Sequence, residues 1–354
     1  MDNRRRKRPS ADIIQLVAPG TPFREGIDNV LRAGTGGLIV VGCNDKMKPL
    51  VDGGFQIHCP FSPTYLYELA KMDGAIILNE SGSKILIANA QLNPSPMIPS
   101  SETGMRHRTA ERVARETDSL VIAISQRRNV ITLYKGTYRY ALKEIAVILA
   151  KANQALQTLE KYRTVLDQSL SHLTLLEYEE AVTYNDVLQV VHRFEMVIRI
   201  KNELLLYLNE LGSEGRLVRL QLNELLSDLE KEAVMVMRDY ACADNAPAQD
   251  MYSSFSEAVS SEVMEDESIM KLLGHPSSTE YESQAEPRGY RVLNKIPRLP
   301  LTIIENIIGD FGTLDKLKQA TVEELDEVDG IGGIRARKIK QGLKSVKEQS
   351  LADH

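Results

Sequence analysis

The sequence predicts an α/β N-terminal domain, in which a mixed sheet is flanked by helices, followed by an all-α helical spine and a C-terminal domain of helices joined by hairpins. Three observations predict this order. Short Ile- and Val-rich runs bounded by Gly, Asn or Ser occupy the first part of the chain. Apolar residues then recur every three or four positions up to about residue 240. Glycine-rich turns and basic segments follow Pro287. A chain of 354 residues has room for two or three domains, and we place them at residues 1–145, 146–286 and 287–354.

The first domain alternates strand-like and helix-like segments. The predicted strands are Gly37–Gly42, Gly74–Asn79, Lys84–Leu92, Leu120–Ser125 and Val130–Tyr134. The predicted helices are Phe23–Ala33, Pro63–Met72 and His107–Thr117. Helices that cover the faces of a mixed sheet are the natural architecture for this alternation.

The spine is predicted from helical periodicity. One apolar face starts at Ile145 and runs to Tyr162, and a second helix is capped by Asn185 and Asp186 and ends at Leu211–Gly215. A third helix carries the leucines between Leu217 and Leu229. Residues 241–287 are interpreted partly as a loose linker, with one further helix over 257–273. Such helices favour a spacer that positions its neighbours.

Composition and charge exclude several classes of protein. The net charge of −6 disfavours a protein that coats nucleic acid, and the absence of Trp disfavours a platform for stacking many unpaired bases. Three cysteines without a CxxC pair support neither a disulfide framework nor a zinc site. No apolar run is long enough to cross a bilayer or to form a signal-peptide core, so we expect a cytoplasmic protein without membrane contact. Charge is divided along the chain: residues 203–286 carry a net −13 and residues 288–347 a net +4.

The sharpest local motif lies in the basic tail. A predicted helix over 322–328 ends near Gly330, Ile331 pins a tight turn, and the amides of Gly332 and Gly333 stay uncovered. The cations of the following helix are Arg335, Arg337, Lys338 and Lys340. The pattern resembles a helix-hairpin-helix DNA-binding motif, which contacts phosphates without sequence preference and with strong salt dependence. A second candidate hairpin spans 288–300 and adds Arg288 and Arg291 as DNA contacts. The alternative is a glycine-rich turn with a solvated basic face.

The N-terminal domain lacks the standard phosphate loops, since neither GxxxxGK[ST] nor a GxGxxG that opens a helix is present. Two other clusters remain. Asp73, which precedes Gly74 and Ala75 at a strand start, could place a carboxylate on Mg²⁺, although Asp-Gly is also common turn chemistry. In the segment 102–112, arginines flank His107 at a glycine-preceded helix start, where a triphosphate could lie; solvated cations are the alternative. Arg127 and Arg128 follow a strand, either as part of the site or as exposed turn charges.

Together these motifs resemble the diadenylate cyclase domain, and with the spine and hairpins the whole chain resembles the family of bacterial DNA integrity scanning proteins. The motifs that carry the resemblance are Asp73-Gly74-Ala75, Gly104-Met105-Arg106-His107-Arg108-Thr109-Ala110-Glu111-Arg112, Ser125-Gln126-Arg127-Arg128-Asn129 and Arg288-Gly289-Tyr290-Arg291. Met105 stands where family members often have Thr, so its backbone is the group expected to serve.

The resemblance implies an enzyme that condenses two ATP into cyclic di-AMP and two pyrophosphates. It implies a homo-octamer, Mg²⁺ or alternatively Mn²⁺ on Asp73, and double-stranded and branched DNA as a partner that lowers synthesis. The implied catalytic residues are Asp73, Arg106, His107 and Arg108. The implied nucleotide contacts are Gly74, Ala75, Leu92, Met105, Arg106, His107, Arg108, Thr109 and Arg128. The implied DNA contacts are Gly330, Gly332, Gly333, Arg335, Arg337, Lys338, Lys340, Arg288 and Arg291.

Two other functions stay open on the residues alone. One is a non-catalytic oligomeric DNA-binding scaffold, in which the N-terminal domain only oligomerises. The other is a repair nuclease, which is disfavoured because only Asp73 stands near the candidate site, and a two-metal nuclease needs several carboxylates. A role for His107 as a general base is a further alternative to phosphate binding.

Overall fold

A computed structural model describes residues 11–128, 130–242, 248–261 and 263–352. The chain divides into two compact units, one formed by Met1–Ala152 with Leu206–Arg219 and the other by Asn153–Leu205 with Leu220–His354. The three domain boundaries drawn from the sequence stay a prediction. Asn129, the last residue of the Ser125–Asn129 motif, lies outside the described residues.

The first unit is built on an eight-stranded mixed sheet. Its strands are β1 (Gly37–Val41), β2 (Val51–Asp52), β3 (Phe55–Pro60), β4 (Ala75–Leu78), β5 (Lys84–Leu92), β6 (Leu120–Ser125), β7 (Val130–Lys135) and β8 (Tyr138–Ala141). The strand order is β2-β5-β4-β1-β6-β7-β8, with β3 also paired to β5. Only β1 and β4 run parallel among these pairs. This confirms the predicted mixed sheet.

Helices cover both faces of the sheet because its central strands are apolar on both sides. The helices of this unit before the spine are α1 (Ala11–Leu16), α2 (Pro22–Arg32), α3 (Pro63–Leu69) and α4 (Met105–Thr117). The first three pack on the face that presents Ile39 and Ile122, and α4 packs on the opposite face with Val40 and Val121. Successive residues of β1 therefore belong to different cores, as the period of two in a strand requires.

Three strands escape the sequence analysis. β3 (FQIHCP) is mostly exposed and carries polar side chains, so it has no apolar run. β8 (YRYA) is an edge strand, and β2 has two residues. Edge strands bury little surface and leave a weak signal in the sequence. The predicted strands and helices are found, two strands with the predicted bounds and the others with ends that shift by at most three residues.

Long helices dominate the rest of the chain, which confirms the predicted helical region after the sheet. They are α5 (Ile145–Glu179), α6 (Tyr184–Leu211), α7 (Arg216–Leu225), α8 (Leu229–Tyr240), α9 (Ala248–Ser261) and α10 (Asp266–Leu272). The tail adds α11 (Tyr290–Asn294), α12 (Leu301–Phe311), α13 (Leu314–Gln319), α14 (Val322–Asp326) and α15 (Gly333–Ala352). Across the described ranges, no helix is long and apolar enough to cross a membrane.

Three details of the predicted spine are wrong. The cap of α6 is Thr183, whose hydroxyl accepts from the Asp186 amide while the Asp186 carboxylate accepts from the Thr183 amide; Asp186 is therefore inside the first turn. The predicted third helix is divided into α7 and α8. The predicted helix over 257–273 is likewise two elements, α9 and α10, within a segment that is more helical than a loose linker.

The tail contains two helix-hairpin-helix units around one core. The first joins α11 to α12 through 295–300, and the second joins α14 to α15 through 327–332. Ile304 and Ala336 hold equivalent positions in the two units, and both are fully buried. The amide of Ile304 donates to the Pro300 carbonyl, and the amide of Ala336 donates in the same way to the Gly332 carbonyl. The two hairpins therefore share the same local structure.

Candidate functional site

A cavity of about 1080 Å³ opens at one end of the sheet in the first unit. It lies where β1 and β4 begin and where β5 and β6 end, beside the start of α4. Its walls are Leu38, Asp73, Gly74, Ala75, Asn89, Ala90, Gln91, Leu92, Glu102, Thr103, Gly104, Met105, Arg106, His107, Thr109, Ser125, Gln126, Arg127 and Arg128. The topology thus brings together every predicted nucleotide contact except Arg108.

Asp73 and Gly74 directly precede β4 and lie beside the last part of β5. The Gly74 amide donates to the Asn89 side-chain oxygen at 3.2 Å. A Cβ at position 74 would overlap the Asn89 backbone, so only glycine allows this approach. Asn89 itself has a φ of 56°, in the left-handed region. The Asp73 side chain is exposed and makes no hydrogen bond or ion pair in the part of the chain that the structure describes.

The start of α4 offers free backbone amides to the cavity. Gly104 is the N-cap and has no side chain to cap the first turn, so the amides of Met105, Arg106 and His107 lack partners inside the helix. The Arg106 guanidinium lies over Gly36 just before β1, where an added Cβ would overlap its Nη1 atom. Positive charge at the start of a helix opposes the helix dipole, and a bound anion would relieve that opposition.

His107 belongs to a chain of hydrogen bonds that includes Tyr134, Glu102 and Arg139. Its Nδ1 lies 3.0 Å from the Tyr134 hydroxyl, and that hydroxyl donates to Glu102 Oε1 at 2.9 Å. Arg139 on β8 donates to the same carboxylate oxygen at 2.5 Å. The Tyr134 ring is fully buried between the sheet and α4.

The charged groups of this chain shift one another's protonation. Burial lowers the pKa of His107; Arg139, Arg128 and Arg106 lower it further, and Glu102 opposes them. Burial alone would raise the pKa of Glu102, but the hydrogen bonds from Arg139 and Tyr134 leave it below its ordinary value. Glu102 is therefore ionised and His107 is neutral at neutral pH.

Arg108 does not reach this cavity. Its side chain is exposed, and its Nε atom donates to the Glu102 carbonyl at 3.3 Å. Arg108 is not among the residues that line the cavity, whereas Met105, Arg106, His107 and Thr109 are. The role of Arg108 as a nucleotide contact stays a prediction.

Several cavity residues were missed from the sequence: Asn89, Gln91, Glu102, Thr103, Ser125, Gln126 and Arg127 line it but were not predicted as contacts. Asn89 left one usable signal, because it is a polar residue in the otherwise apolar middle of KILIANAQL. Glu102 and Tyr134 left none, since their roles depend on a contact 32 residues apart in sequence.

The structure restricts where a metal ion could bind. No group of three or more His, Cys, Asp or Glu side chains gathers as ligands among the residues described. Asp73 is the exposed carboxylate of the cavity. One carboxylate, completed by phosphate oxygens and water, is a typical arrangement for Mg²⁺, so the donor set fits a metal that arrives with a nucleotide.

The tail holds a second concave site, of about 600 Å³, between its two hairpins. Predicted contacts Gly332, Gly333, Arg335 and Lys338 line it, together with Arg298, which the sequence analysis did not select. A Cβ on Gly332 would meet nothing within 4 Å, so its backbone is open to a ligand. Gly330 serves the turn instead, with a φ of 77°.

Other predicted DNA contacts lie elsewhere. Arg337 is exposed but does not line the cavity, and Lys340 is turned toward the Lys318 carbonyl at 3.0 Å. Arg288 donates to the Ala241 carbonyl at 3.0 Å.

Arg291 is a buried structural residue, so its prediction as a DNA contact is wrong. Its guanidinium is paired with Glu177 at 2.5 Å and donates to the Thr174 hydroxyl at 2.7 Å. Both charged side chains are nearly inaccessible to solvent. A charge without solvent access cannot reach a phosphate backbone, and the RGYR motif therefore anchors α11.

Comparison with known proteins agrees with this geometry. A family model described as DisA bacterial checkpoint controller nucleotide-binding matches residues 24–138, and one described as DisA bacterial checkpoint controller linker region matches residues 142–282. A DNA integrity scanning protein DisA of Bacillus pumilus is 59% identical over 342 residues, 97% of this chain and 95% of that protein. Proteins of the same name from Bacillus thuringiensis and Bacillus cereus are each 58% identical over 347 residues, 98% of this chain and 97% of theirs.

Proposed function

The chain belongs to the DisA family of DNA integrity scanning proteins and is a diadenylate cyclase coupled to that scanning, and from this premise we propose which of its residues carry each step. The observation that supports the assignment is the cavity into which Asp73, Gly74, Arg106 and His107 converge from two separate segments. In the reaction, the 3′-hydroxyl of each ATP attacks the α-phosphate of the other. Two phosphodiester bonds form, two α–β anhydride bonds break, and two pyrophosphates leave.

The adenosine end of ATP lies against the strand ends, and the phosphates lie at the start of α4. Gly74, Ala75 and Leu92 supply a close backbone surface for adenosine. Arg106, His107 and Thr109, with the open amides that begin at Met105, bind the phosphates. Such donors neutralise the charge of a phosphoryl group, and positioning with neutralisation is most of what this chemistry needs.

Asp73 would hold the divalent metal, Mg²⁺ or alternatively Mn²⁺. When bound, such an ion would supply positive charge to the phosphoryl oxygens and favour loss of the 3′-hydroxyl proton. The exposed position of Asp73 supports this role, because its carboxylate has no other partner among the described residues.

Two cyclase domains must face each other, since one cavity holds one ATP and each product molecule is made from two ATP molecules. We therefore propose a homo-oligomer, specifically the octamer implied by the family. Arg128, an exposed residue of the cavity wall, then has a role toward the opposed nucleotide, and Arg108 is proposed as a further phosphate contact. The cytoplasm, where ATP and DNA meet, is the proposed location.

The hairpins of the tail bind double-stranded and branched DNA through phosphates. Support comes from the concave surface that joins Arg298 to Gly332, Arg335 and Lys338. Backbone amides and cations carry no sequence code, so binding is independent of sequence. Branched DNA bound there lowers the rate of cyclic di-AMP synthesis.

The test is incubation of the purified protein with ATP and Mg²⁺ or Mn²⁺, with products identified by mass-resolved chromatography. The wild type should yield cyclic di-AMP, and Asp73→Asn should lose the activity by orders of magnitude while keeping its fold. Asp45→Asn is the matched control, because Asp45 is an exposed aspartate of the same unit outside the cavity. Full activity of Asp73→Asn would remove Asp73 from the site. No product from a folded wild-type oligomer would favour the DNA-binding scaffold.

A further inference from the structure

Tyr134, Glu102 and Arg139 have no role in the steps proposed for the reaction, although they form one partly buried chain of hydrogen bonds with His107. Tyr134 stands between His107 and Glu102, and Glu102 is bonded in turn to Arg139. This set joins the loop before α4 to α4 itself and to two neighbouring strands. The hydrogen bond that one ring nitrogen of a histidine makes sets which nitrogen carries the proton.

The direction of each hydrogen bond fixes where the protons are. A hydroxyl has one proton, and the Tyr134 hydroxyl donates it to the Glu102 carboxylate, which can only accept. What Tyr134 offers His107 is therefore an oxygen lone pair. Nδ1 of His107 must carry the proton that bridges the 3.0 Å to that oxygen. In a neutral imidazole the other nitrogen, Nε2, is then an acceptor.

We propose that Tyr134 and Glu102 are positioning residues that hold neutral His107 in the Nδ1–H form, so that His107 must take up a proton before it can donate a hydrogen bond to an ATP phosphate. The inference rests on the proposed function, because it assumes that this cavity binds the triphosphate. It deepens that function by linking nucleotide affinity to pH.

Four charged groups near His107 influence its protonation, three of them against the charged form and one in favour of it. Arg106 on α4, Arg128 after β6 and Arg139 on β8 favour a neutral imidazole, while Glu102 favours the charged one. A triphosphate brings negative charge that opposes the three arginines. Binding therefore favours the imidazolium, which can donate from Nε2 while Nδ1 stays on Tyr134.

The consequence is proton uptake on binding. Above the pKa of His107 in the free protein, the affinity for the nucleotide should fall as pH rises, and up to about one proton should enter per nucleotide bound. Without the Tyr134 hydroxyl, His107 is free to move its proton to Nε2 and to donate while neutral. Uptake should then approach zero.

The experiment is isothermal titration calorimetry with Mg²⁺ and 3′-deoxy-ATP, which lacks the attacking hydroxyl and cannot react. Each protein is titrated at about pH 8 in two buffers of different ionisation enthalpy, which yields the protons exchanged per nucleotide. The variants are Tyr134→Phe and His107→Gln. Tyr140→Phe is the matched control, because Tyr140 also donates to a glutamate, Glu210, but does not line the cavity.

We expect the wild type and Tyr140→Phe to take up protons when the nucleotide binds. In Tyr134→Phe and His107→Gln, the number of protons taken up should fall to what the ionisation of the nucleotide itself contributes. Equal uptake by Tyr134→Phe and the wild type would overturn the inference while leaving the cyclase assignment intact. Failure of the wild type to bind the nucleotide would overturn the proposed function and the inference with it.

If Tyr134→Phe does not fold, Glu102→Gln tests the same chain. Loss of the Glu102 charge removes the group that favours the imidazolium, so the pH at which affinity begins to fall should move down. An unchanged pH profile in Glu102→Gln would contradict the proposed link.

Discussion

Two glycines, Gly74 and Gly36, leave room for the groups that surround the cavity. Gly74 lets β4 approach the Asn89 backbone, and Gly36 leaves the space that the Arg106 guanidinium fills. Neither has a φ in the left-handed region, so their conformation would suit other residues. Space, and not backbone conformation, requires glycine at these two positions.

A methyl group at position 36 should therefore impair catalysis more than folding. In Gly36→Ala the new Cβ displaces the flexible end of Arg106, and loss of one charge-assisted contact of about 1.5–3 kcal/mol predicts a fall in kcat/KM of roughly 10-fold or more. The measurement is the initial rate of cyclic di-AMP formation against ATP concentration.

Gly37→Ala is its matched control, because a Cβ there meets Ile124 Cδ1 at an ordinary 3.4 Å. It should keep wild-type kinetics. Equal losses in both variants would mean that the strand, and not Arg106, is what the methyl groups disturb.

Single residues could be predicted from the sequence where chemistry is local. Asp73 and His107 were found because they stand in short motifs, and the structure places both at the cavity. Arg291 was misjudged because its charge suggested DNA, whereas its burial against Glu177 is a tertiary fact. The sequence alone does not show whether a charged side chain faces solvent or a buried partner.

At the scale of elements, α11 depends on buried charges of other helices. Its first amides, of Gly289, Tyr290 and Arg291, donate to the Asp239 carboxylate of α8 at 2.8, 2.5 and 3.0 Å. The Arg291 side chain then pairs with Glu177 of α5. The short helix that starts the first hairpin is therefore held by the Asp239 carboxylate at its N-terminus and by one ion pair.

Removal of this arginine should destabilise the second unit strongly. Arg291→Ala leaves Glu177 buried without its partner, which costs about 3–5 kcal/mol in the free energy of unfolding. Thermal and urea unfolding would measure the loss. Arg337→Ala, the removal of an exposed arginine of α15, should change stability by less than about 0.5 kcal/mol.

If Arg291→Ala unfolds like the wild type, the buried pair is not what holds α11. In that case α11 keeps its place without the pair, and the DNA affinity of folded Arg291→Ala should equal that of the wild type.

A second pair of elements, α6 and α10, is joined by a histidine, His192. His192 on α6 contacts Glu195 at 3.0 Å and Asp266, the first residue of α10, at 2.7 Å. Burial by itself would lower the pKa of His192, but the hydrogen bonds to Asp266 and Glu195 raise it above its ordinary value of 6.5. The folded protein thus binds this proton more tightly than the unfolded chain.

Stability from His192 should accordingly be complete below pH 6.5 and be lost as the pH rises through the higher pKa of the folded state. Because the side chain is partly exposed, the gain is no more than about 1 kcal/mol. Urea unfolding of the wild type and of His192→Gln at a series of pH values would show it. The difference in stability should shrink toward alkaline pH, and a constant difference would contradict the assignment.

At the scale of the whole molecule, charge is divided among regions with different tasks. The net charge is −6, yet the tail carries a positive excess and the helical region before it a negative one. A phosphate backbone is therefore drawn to the hairpins and repelled from the acidic segment. Total charge would have hidden this division.

Removal of cations from the hairpin cavity should lower the salt dependence of DNA binding. For Arg335→Ala with Lys338→Ala, we expect weaker binding to all sequences and a slope of log K against log salt that is smaller by about 2. Fluorescence anisotropy with a labelled four-way junction at several salt concentrations would measure it. Lys344→Ala, an exposed cation of α15 that does not line the cavity, should lower the slope less. Equal slopes in all proteins would place the DNA elsewhere.

Local patterns in the sequence were enough to predict the order of the fold, the cyclase motifs and the second hairpin, because periodicity, turn glycines and short motifs act over a few neighbouring residues. Which charges face a ligand depends on the tertiary structure. It brought Tyr134 and Glu102 behind His107, turned Arg108 out of the cavity and buried Arg291. Strand pairing and helix packing join residues that are far apart in the chain, and no local pattern records the partners they will meet.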